Sequence, residues 1–494
     1  MSRIIIIGAG FSSLSAAAYL AKAGHEVHVL EKWEQPGGRA RTFSAEGFLF
    51  DMGPSWYWMP DVFERFFGNF GKKVSDYYNL VRIDPSYKVV WQDGSQWDIP
   101  AGMKALAKLL EEKEKGAGKQ LEKFLAQAKK KYELGIQELV YKPNLSFAEY
   151  LHLGLLKGLL ESDVFTSMRK HIAKYFSDSK IIELLEFPVL FLGAGAQDIP
   201  ALYSLMNYAD IVGGTWYPMG GMHLIAKAME AVAKEQGAHF HYGEEVISIS
   251  TNGDKINGIK TSKGLWEGDF YLSGADYHHT ENLLPKTLQQ YDENYWQKRT
   301  MAPSALIYYV GLNTKMPDTV PHHTLFFDAD FERHSEEIYD RPQMPTDPLF
   351  YLCAPSKTDS SVAPAGCENL FFLIPTAPGL DNDTEEVRQK YFDMLCTRLE
   401  KHYGMNIRPH IVYQRSFSVK DFKQDYNSFK GNAYGLANTL NQTAILKPRL
   451  VSKKVRNLAY CGQLTVPGPG VPPALVSGEV AANYIHQKLK RTNH

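Results

Sequence analysis

A glycine-rich turn near the amino terminus has the residue types and the spacing that bind a dinucleotide. Gly8 supplies the tight bend, and Gly10 lets the backbone approach a pyrophosphate. The third position of the motif packs a helix against a strand, which needs only a small side chain, so Ser13 satisfies it. Glu31 follows where a carboxylate would bind ribose hydroxyls. The predicted contacts in this part of the chain are Gly8, Ala9, Gly10, Phe11, Ser12, Glu31 and Lys32.

Two strands and one helix must position this turn. Residues 4–7 are a β-branched run, typical of a strand that is buried on both faces. The sequence then predicts a small-residue helix over residues 14–23, which Gly24 ends, and a second strand over residues 27–30. Together they form a βαβ unit of about thirty residues, the size expected of a dinucleotide fingerprint. The helix amino terminus would offer its N–H groups to the phosphates.

Two later segments narrow the choice of dinucleotide. Gly37 and Gly38 stand beside Arg39 and Arg41, and such a segment can wrap a diphosphate and approach a flat ring closely. Residues 50–55 then read Phe-Asp-Met-Gly-Pro-Ser. The two segments resemble the flavin amine oxidase and carotenoid desaturase superfamily, and this resemblance implies that the bound cofactor is FAD. It adds to the predicted cofactor contacts Gly38, Arg39, Gly53, Pro54 and Ser55.

The same resemblance implies cofactor contacts in the middle and at the carboxyl end of the chain. In flavoproteins of this kind a strand near Val246 passes the adenine, and the strand ending at Ala275 belongs to the cofactor sheet. Residues 457–473 again combine a strand, a glycine-rich turn and the start of a helix, which is predicted over 474–488. That helix would direct its dipole at the flavin pyrimidine, where many flavoproteins also carry an acid and this chain has Gln463. The predicted contacts are Val246, Ala275, Gly462, Gln463, Gly470, Val471 and Pro472.

Composition excludes several classes of protein. The chain has 494 residues with 54 basic and 55 acidic side chains, so it lacks the basic excess typical of nucleic-acid binding. Its four widely spaced cysteines predict reduced thiols rather than a zinc site. No room for a signal peptide precedes the first strand, and no run of about eighteen apolar residues predicts a membrane-spanning helix. We expect a cytoplasmic protein whose contact with a membrane is peripheral.

The predicted fold class is α/β with discontinuous domains. A Rossmann-like FAD-binding domain is expected to combine residues 1–60, 210–280 and 450–494. Residues 61–209 are expected to form a helical substrate-binding and possible membrane-associating region, and residues 281–449 the sheet and helices of an α+β substrate domain. The individual elements predicted in these regions are amphipathic helices over 101–139 with a break at 116–118, strands over 371–374 and 411–413, and a helix over 385–402.

The leucine-rich segment 147–176 has two interpretations. It is either a helix of the substrate domain packed on its neighbours, or an interfacial helix that enters the lipid headgroup region. The segment contains six leucines, with Lys157, Arg169, Lys170 and Lys174 interspersed. The sequence leaves them open.

Three further segments narrow the resemblance. Residues 56–60, 431–437 and 467–472, together with the amino-terminal segments, resemble the bacterial-type phytoene desaturases over essentially the whole chain, and look closest to those of flavobacteria. The resemblance implies successive conversion of C–C to C=C bonds in a C40 polyene, phytoene toward lycopene, by hydride transfer to the flavin. It also implies oxygen or a membrane quinone as the electron acceptor.

Several other functions remain compatible with the sequence. The substrate could be another carotenoid, such as a hydroxylated carotenoid or the C30 compound dehydrosqualene, or the enzyme could be a carotene isomerase or oxidase. From the amine oxidase side, an oxidase of small polar amines is an alternative that the apolar middle of the chain disfavours. A flavoprotein that carries lipids without catalysis is a further one.

Aromatic residues are the candidates for the substrate slot, since a hydride transfer to flavin mainly requires that the polyene lie flat in a dry site. Asp276 and the pair His278–His279 follow a cofactor strand but are weak candidates for a catalytic base. The pairs His239/His241 and His322/His323 are expected to be ordinary strand or loop histidines, because no carboxylate or cysteine cluster joins them in sequence, and no metal is predicted. The candidates for the slot are Trp56, Tyr57, Trp58 and Tyr434.

Overall fold

The fold is α/β, as predicted, and the computed structural model describes residues 1–146, 149, 166–188, 193 and 195–492. Its strands are β1 Arg3–Ile7, β2 Glu26–Leu30, β3 Thr42–Ala45, β4 Phe48–Asp51, β5 Leu80–Arg82, β6 Tyr87–Trp91, β7 Gln96–Ile99, β8 Trp216–Pro218, β9 His239–His241, β10 Val246–Asn252, β11 Lys255–Thr261, β12 Leu265–Trp266, β13 Phe270–Ser273, β14 Ser304–Leu312, β15 His323–Phe327, β16 Phe350–Cys353, β17 Glu368–Thr376, β18 Ile411–Phe417 and β19 Leu458–Tyr460.

The α-helices are interspersed with these strands and vary widely in length. They are α1 Phe11–Lys22, α2 Pro60–Asn69, α3 Met103–Lys113, α4 Ala117–Glu133, α5 Met168–Ile172, α6 Ser179–Glu186, α7 Leu205–Ile211, α8 His223–Glu235, α9 Tyr277–Asn282, α10 Glu293–Gln297, α11 Phe331–Tyr339, α12 Glu385–Tyr403, α13 Val419–Tyr426 and α14 Val471–Thr492.

A parallel sheet in the order β19-β13-β1-β2-β9 forms the first layer. Its central strand β1 is almost pure isoleucine, and Ile4, Ile5 and Ile6 are fully buried because both faces of the sheet are covered. The strands come from residues 3–30, 239–273 and 458–460, so the two ends of the chain meet in one sheet. The domain boundaries given above stay a prediction.

Helices α1, α8 and α14 cover one face of this sheet, and β10–β12 lie over the other. Helix α1 begins at Phe11, before the predicted start, because Gly10 is its N-cap and accepts from the Leu14 N–H at 2.9 Å. Helix α14 begins at Val471 rather than at residue 474. Pro472 and Pro473 fit its first turn, where the missing N–H would have no helical partner.

Two glycines let α1 pack unusually closely on its neighbours. A β-carbon on Gly274, which follows β13, would overlap the Ser13 hydroxyl. A β-carbon on Gly478, in α14, would overlap the Ser12 carbonyl oxygen. The small side chain that the sequence shows at position 13 is therefore matched by the absence of one at position 274, and Ser13 is fully buried.

A mixed sheet in the order β18-β14-β17-β16-β15-β6-β7 forms the core of the second half of the molecule. Successive residues of a strand point to opposite faces, and β14 shows this directly. Tyr309 faces one hydrophobic cluster with the β3–β4 hairpin and helices α3 to α6, whereas Tyr308 faces another with α12. Helix α12, Glu385–Tyr403, agrees with its prediction over 385–402.

Most of the leucine-rich segment 147–176 lies outside the described residues, so both interpretations of it stay predictions. The helices predicted over 101–139 are present as α3 and α4, and a π-helical turn over Leu134–Leu139 follows α4. Among the described residues, none of the helices combines the length and apolar character needed to cross a membrane.

Candidate functional site

The glycine turn after β1 lies against a second glycine-rich loop. Gly8 has a φ of +84°, and its N–H donates to a β2 carbonyl at 2.7 Å. The Gly37 N–H donates to the Ala9 carbonyl at 2.8 Å. A β-carbon on Gly38 would lie 3.4 Å from the α-carbon of Gly10. The two loops therefore form the walls of one narrow cradle.

The amino terminus of α1 opens into this cradle. Gly10 has a φ of −75° and a ψ of 173°, which any residue adopts, and no described side chain caps the helix. A β-carbon on Gly10 would meet none of the described atoms within 4 Å. Phe11 and Ser12, in the first turn, are buried. A buried, uncapped helix amino terminus with open space at its N-cap is suited to an anionic phosphate.

Glu31 anchors the glycine turn from behind. Its carboxylate accepts from the Ala9 N–H at 2.7 Å and from the Trp33 N–H at 3.0 Å. Burial raises the pKa of Glu31, and these two hydrogen bonds oppose that shift. The carboxylate thus fixes the turn to the end of β2, a role that the sequence did not indicate. Its predicted contact with a ribose stays a prediction.

Arg39 joins the cradle to distant parts of the chain. Its Nη2 donates to Ser428 Oγ at 3.0 Å and to the Asn432 carbonyl at 3.3 Å. A β-carbon on Gly53 would lie 2.6 Å from the Arg39 carbonyl oxygen, so the chain passes directly over Arg39 at this point. Arg39 Nε is buried and has no hydrogen-bond partner in the described part of the chain. A guanidinium with an unused buried donor suits an acidic ligand group.

The carboxyl-terminal glycine turn borders the cradle beside α1. A β-carbon on Gly462 would lie 3.2 Å from Ser12 Oγ. Gln463 packs against Gly435, where a β-carbon would lie 2.8 Å from the Gln463 β-carbon. Gln463 Nε2 is buried, and none of the described residues accepts from it. This amide is therefore available to a ligand carbonyl, at the place where the sequence predicts the flavin pyrimidine.

Residues 53–58 lead from the cradle to a wall of aromatic rings. Trp56 is partly exposed and stacks on His323, with ring centroids 4.2 Å apart and planes inclined by 11°. Trp58 lies 5.3 Å from Trp56 by the same measure. Three further rings surround Trp56 at 5.5 Å: Tyr87, Phe187 and Tyr351. An extended apolar molecule could lie flat on such a wall.

The four predicted slot residues do not all belong to this wall. Burial, then Cys353 and to the smallest extent Tyr434 raise the pKa of Tyr351 far above its usual value, so Tyr434 lies near the wall. Tyr57 points the other way, as the residue between two neighbours in extended chain must. It is 1% exposed, and its ring lies 4.5 Å from that of Phe63, in the core beside α2.

Comparison with known proteins assigns the chain to a family. The model of the family described as "Flavin containing amine oxidoreductase" matches residues 11–486. The chain belongs to that family. It is 40% identical over 489 residues to the carotenoid 3,4-desaturase of Haloarcula japonica, with 98% of each protein covered. It is 32% identical over 488 residues to the zeta-carotene-forming phytoene desaturase of Myxococcus xanthus, with 97% of this chain and 92% of that protein covered.

These relatives identify the chain as a member of the carotenoid desaturase family, an FAD-dependent oxidoreductase that acts on C–C bonds. A solved structure of a putrescine oxidase variant has the same fold, with a TM-score of 0.63, 13% sequence identity and 98% of both chains covered. The prediction of FAD is confirmed. The predicted closeness to flavobacterial desaturases stays a prediction.

The cradle of this carotenoid desaturase family member fits FAD. The open space at Gly10 and the uncapped helix beside it suit the pyrophosphate. The unpaired donors Arg39 Nε and Gln463 Nε2 suit acceptor groups of the dinucleotide. The helix amino terminus and the two unpaired donors would contact different groups of the same dinucleotide, and all three lie along the cradle.

The remaining predicted cofactor contacts have defined positions. Ala275 follows β13, and its backbone nitrogen would lie 3.5 Å from a β-carbon on Gly8. Val246 begins β10 and pairs with Thr261. Lys32 donates from Nζ to the Gln424 carbonyl at 3.0 Å. Gly470, Val471 and Pro472 lie at the start of α14. Contact of these residues with FAD stays a prediction.

The weak candidates for a catalytic base have structural partners. Asp276 caps α9 by accepting from the His279 N–H at 3.1 Å, and it also accepts from the Phe429 N–H at 3.1 Å. His278 Nε2 lies 2.8 Å from Glu293 on α10. These contacts account for both side chains as structural residues of the loop after β13.

A buried carboxylate supports the aromatic wall, and sequence reasoning missed it. Asp210, at 3% exposure, accepts from Tyr87 OH at 3.0 Å and from Thr215 Oγ1 at 3.0 Å. Thr215 Oγ1 in turn accepts from Trp58 Nε1 at 2.8 Å. Asp210 therefore positions rings on two sides of Trp56. In the sequence, Asp210 is noticeable only as an acidic residue within an apolar stretch, and this position does not indicate its hydrogen-bond partners.

Asp210 is expected to make folding stability depend on pH. Burial raises its pKa to about 6, against an ordinary value near 4. When the pKa of a carboxyl is higher in the folded than in the unfolded protein, protonation stabilises the fold. This stabilisation is complete below the pKa of the unfolded protein and is lost as pH rises through the pKa of the folded protein. Between pH 5 and pH 8 this loss is about 1.4 kcal/mol, and Asp210→Asn should remove it.

The measurement is the free energy of unfolding in urea at several pH values, for wild type, Asp210→Asn and the exposed control Asp340→Asn. The difference in unfolding free energy between wild type and Asp210→Asn should change by about 1.4 kcal/mol between pH 5 and pH 8. The unfolding free energy of Asp340→Asn should depend on pH in the same way as that of wild type. A constant difference between pH 5 and pH 8 would contradict the assignment.

The structure bears on one prediction about metal ligands. The reason for predicting no metal at His322 and His323 does not hold in the structure, because Cys353 joins the two histidines there. Strand β15 pairs with β16 so that His323 stands directly opposite Cys353. These two positions are thirty residues apart in the sequence, which hides the contact, because the register of two antiparallel strands is set by tertiary packing.

Proposed function

We propose that this protein is an FAD-dependent desaturase of a long apolar polyene, with phytoene as the first candidate substrate and lycopene as the direction of the reaction. The observation that carries the proposal is the continuity between the cradle and the aromatic wall. Gly53 lies against Arg39, and three residues later the chain reaches Trp56. The names of the two relatives, both aligned over nearly their full lengths, support a carotenoid substrate.

The cofactor contacts form the first part of the proposal. FAD is held between the two glycine loops, with its pyrophosphate at the α1 amino terminus and its pyrimidine at Gln463. The residues proposed to contact it are Gly8, Ala9, Gly10, Phe11, Ser12, Glu31, Lys32, Gly38, Arg39, Gly53, Pro54, Ser55, Val246, Ala275, Gly462, Gln463, Gly470, Val471 and Pro472.

Desaturation removes a hydride from an allylic carbon and a proton from its neighbour. Bound FAD supplies the hydride acceptor. The chain contributes position: Trp56, Trp58 and Tyr434 hold the polyene flat and keep water out, which supplies much of the rate. Their π faces also favour the delocalised positive charge that a polyene develops. Asp210 holds the wall in place through Tyr87 and Thr215.

The partners of the reaction follow from its chemistry. A long apolar polyene resides in a lipid bilayer, so we propose that the protein works at a membrane surface from the cytoplasmic side, without spanning it. Oxygen or a membrane quinone would take the electrons. The helical region between residues 61 and 209 is the proposed site of lipid contact.

Desaturation at the 3,4 position of a carotenoid is the second candidate. The observation that favours it is the 40% identity to the Haloarcula japonica enzyme, against 32% for the phytoene desaturase. The two candidates differ in substrate, because one acts on a colourless polyene and the other on a carotenoid that is already coloured.

The decisive test offers each polyene in liposomes to the FAD-loaded protein without oxygen. Phytoene should bleach the flavin absorbance while polyene absorbance rises and product mass falls by two hydrogens for each step. Bleaching with lycopene or a hydroxylated carotenoid, and none with phytoene, would favour the second candidate. A flavin that stays oxidised with every polyene would refute desaturation.

Trp56→Ala tests the wall itself. Loss of the ring is expected to lower the rate of flavin bleaching by at least about tenfold, since misplacement of the reacting carbon is costly. FAD content should not change. Trp266→Ala on β12 is the matched control and should keep the wild-type rate. An unchanged rate for Trp56→Ala would remove Trp56 from the substrate slot.

A further inference from the structure

We propose that His322, His323 and Cys353 form a binding site for a thiophilic metal ion, with Zn²⁺ as the probe of this class. One ring nitrogen of each histidine and the Cys353 Sγ lie within 4.8 Å of one another, and all three residues are buried. His323 and Cys353 are opposite residues of the antiparallel pair β15–β16, so the sheet holds two ligands in register. Histidine and cysteine are the ligands that Zn²⁺ and copper prefer in proteins.

The hydrogen bonds of the two histidines involve Nδ1 and leave Nε2 of each ring to coordinate a metal ion. His322 Nδ1 lies 2.7 Å from Thr358 Oγ1, and His323 Nδ1 lies 2.7 Å from Tyr351 OH. Metal-binding histidines nearly always engage their second nitrogen in this way, which orients the ring. An imidazole that donates through Nδ1 presents a lone pair at Nε2.

Both Nε2 atoms are buried, and neither has a hydrogen-bond partner within the described ranges. A buried ring nitrogen without a partner is uncommon, and here two of them, from His322 and His323, belong to one cluster with a thiol. Burial disfavours the imidazolium form of both rings, and coordination requires the neutral form. A metal ion would pair both nitrogens at once.

Metal binding requires the cluster to contract slightly. Zn²⁺ lies about 2.1 Å from nitrogen and about 2.3 Å from sulfur, so its ligand atoms stand about 3.5 Å apart and the cluster must contract by about 1 Å.

The surroundings of the cluster can accept a divalent charge. Asp51 lines a cavity together with Cys353, and Asp359 follows Thr358, the partner of His322. With a Cys353 thiolate, these carboxylates offset the charge of the ion. Ser55 also lines this cavity, and a fourth ligand would have to enter from it.

The test uses the full-length, FAD-loaded protein, reduced and dialysed against a chelator. Titration with Co²⁺ should show binding of one equivalent, with the ligand-field bands of a tetrahedral site at wavelengths beyond the flavin absorption, and Zn²⁺ should displace it. Wild-type protein that binds neither ion at micromolar concentration would overturn the proposal, and this result requires no variant.

Variants identify the ligands. Cys353→Ser should weaken Zn²⁺ binding by at least about 100-fold, and Thr358→Val, which removes only the partner of His322, by about 10-fold or more. Cys396→Ser is the matched control, because Cys396 is also buried but lies on α12 against the opposite face of the sheet. The proposal fails if Cys353→Ser keeps the wild-type affinity and cobalt spectrum.

Discussion

Gly10→Val is expected to abolish FAD binding without unfolding the protein. The backbone of Gly10 has dihedral angles that valine adopts, and a β-carbon there would meet none of the described atoms within 4 Å. The absence of a side chain therefore serves the ligand rather than the fold. A valine would occupy the space of the pyrophosphate, and we expect affinity for FAD to fall at least about 100-fold, or about 2.7 kcal/mol.

Purified Gly10→Val should be colourless, and its melting temperature should equal that of wild-type protein stripped of FAD, since only the ligand's stabilisation is lost. Gly264→Val is the control. Gly264 lies in an exposed turn, and a β-carbon there would also meet no described atom within 4 Å. This variant should retain its flavin. Gly10→Val protein with a full complement of FAD would refute the position assigned to the pyrophosphate.

Gly478→Val is expected to destabilise the protein with or without FAD. A β-carbon on Gly478 would overlap the Ser12 carbonyl oxygen and lie 2.8 Å from the Ser15 β-carbon, so α14 must move away from α1. Both helices are part of the core over the parallel sheet, and neither contact is with a flexible side-chain end. We expect a loss of about 4 kcal/mol or more and a melting temperature at least about 5 °C lower.

Thermal unfolding of the FAD-stripped proteins measures this effect without the contribution of the ligand. Gly68→Val on α2 is the control, because Gly68 is exposed and a β-carbon there would meet none of the described atoms within 4 Å. Its melting temperature should equal or slightly exceed that of wild type, because valine has a somewhat higher helix propensity than glycine. A melting temperature for Gly478→Val equal to that of the control would show that α1 and α14 do not pack as described.

The local part of the cradle could be predicted from the sequence, because its signals lie within thirty residues of one another. The isoleucine run, the spacing of Gly8 and Gly10, and the acid at position 31 each have one physical explanation, and they agree. The start of α14 was predicted three residues late because prolines were taken as part of a turn, although the first turn of a helix accepts them.

Contacts between segments that are distant in the sequence could not be predicted. The match between Ser13 and Gly274, the support that Asp210 gives to Tyr87 and Trp58, and the position of Cys353 beside His323 all depend on how helices and strands pack. Tyr57 was grouped with its neighbours as a slot residue, whereas the alternation of an extended chain turns it into the core.

The parallel sheet also constrains how the protein is made. Strand β1 cannot pair with β13 until about 265 further residues have left the ribosome, and the glycine turn cannot acquire Gln463 until about 450 have. At roughly 5–20 residues per second this takes about half a minute to a minute and a half. The isoleucine-rich strand β1 is thus synthesised long before its neighbour β13. With FAD held at Gln463 as proposed, its loading follows synthesis of the carboxyl-terminal turn, and we expect the nascent chain to need chaperones that shield exposed strands.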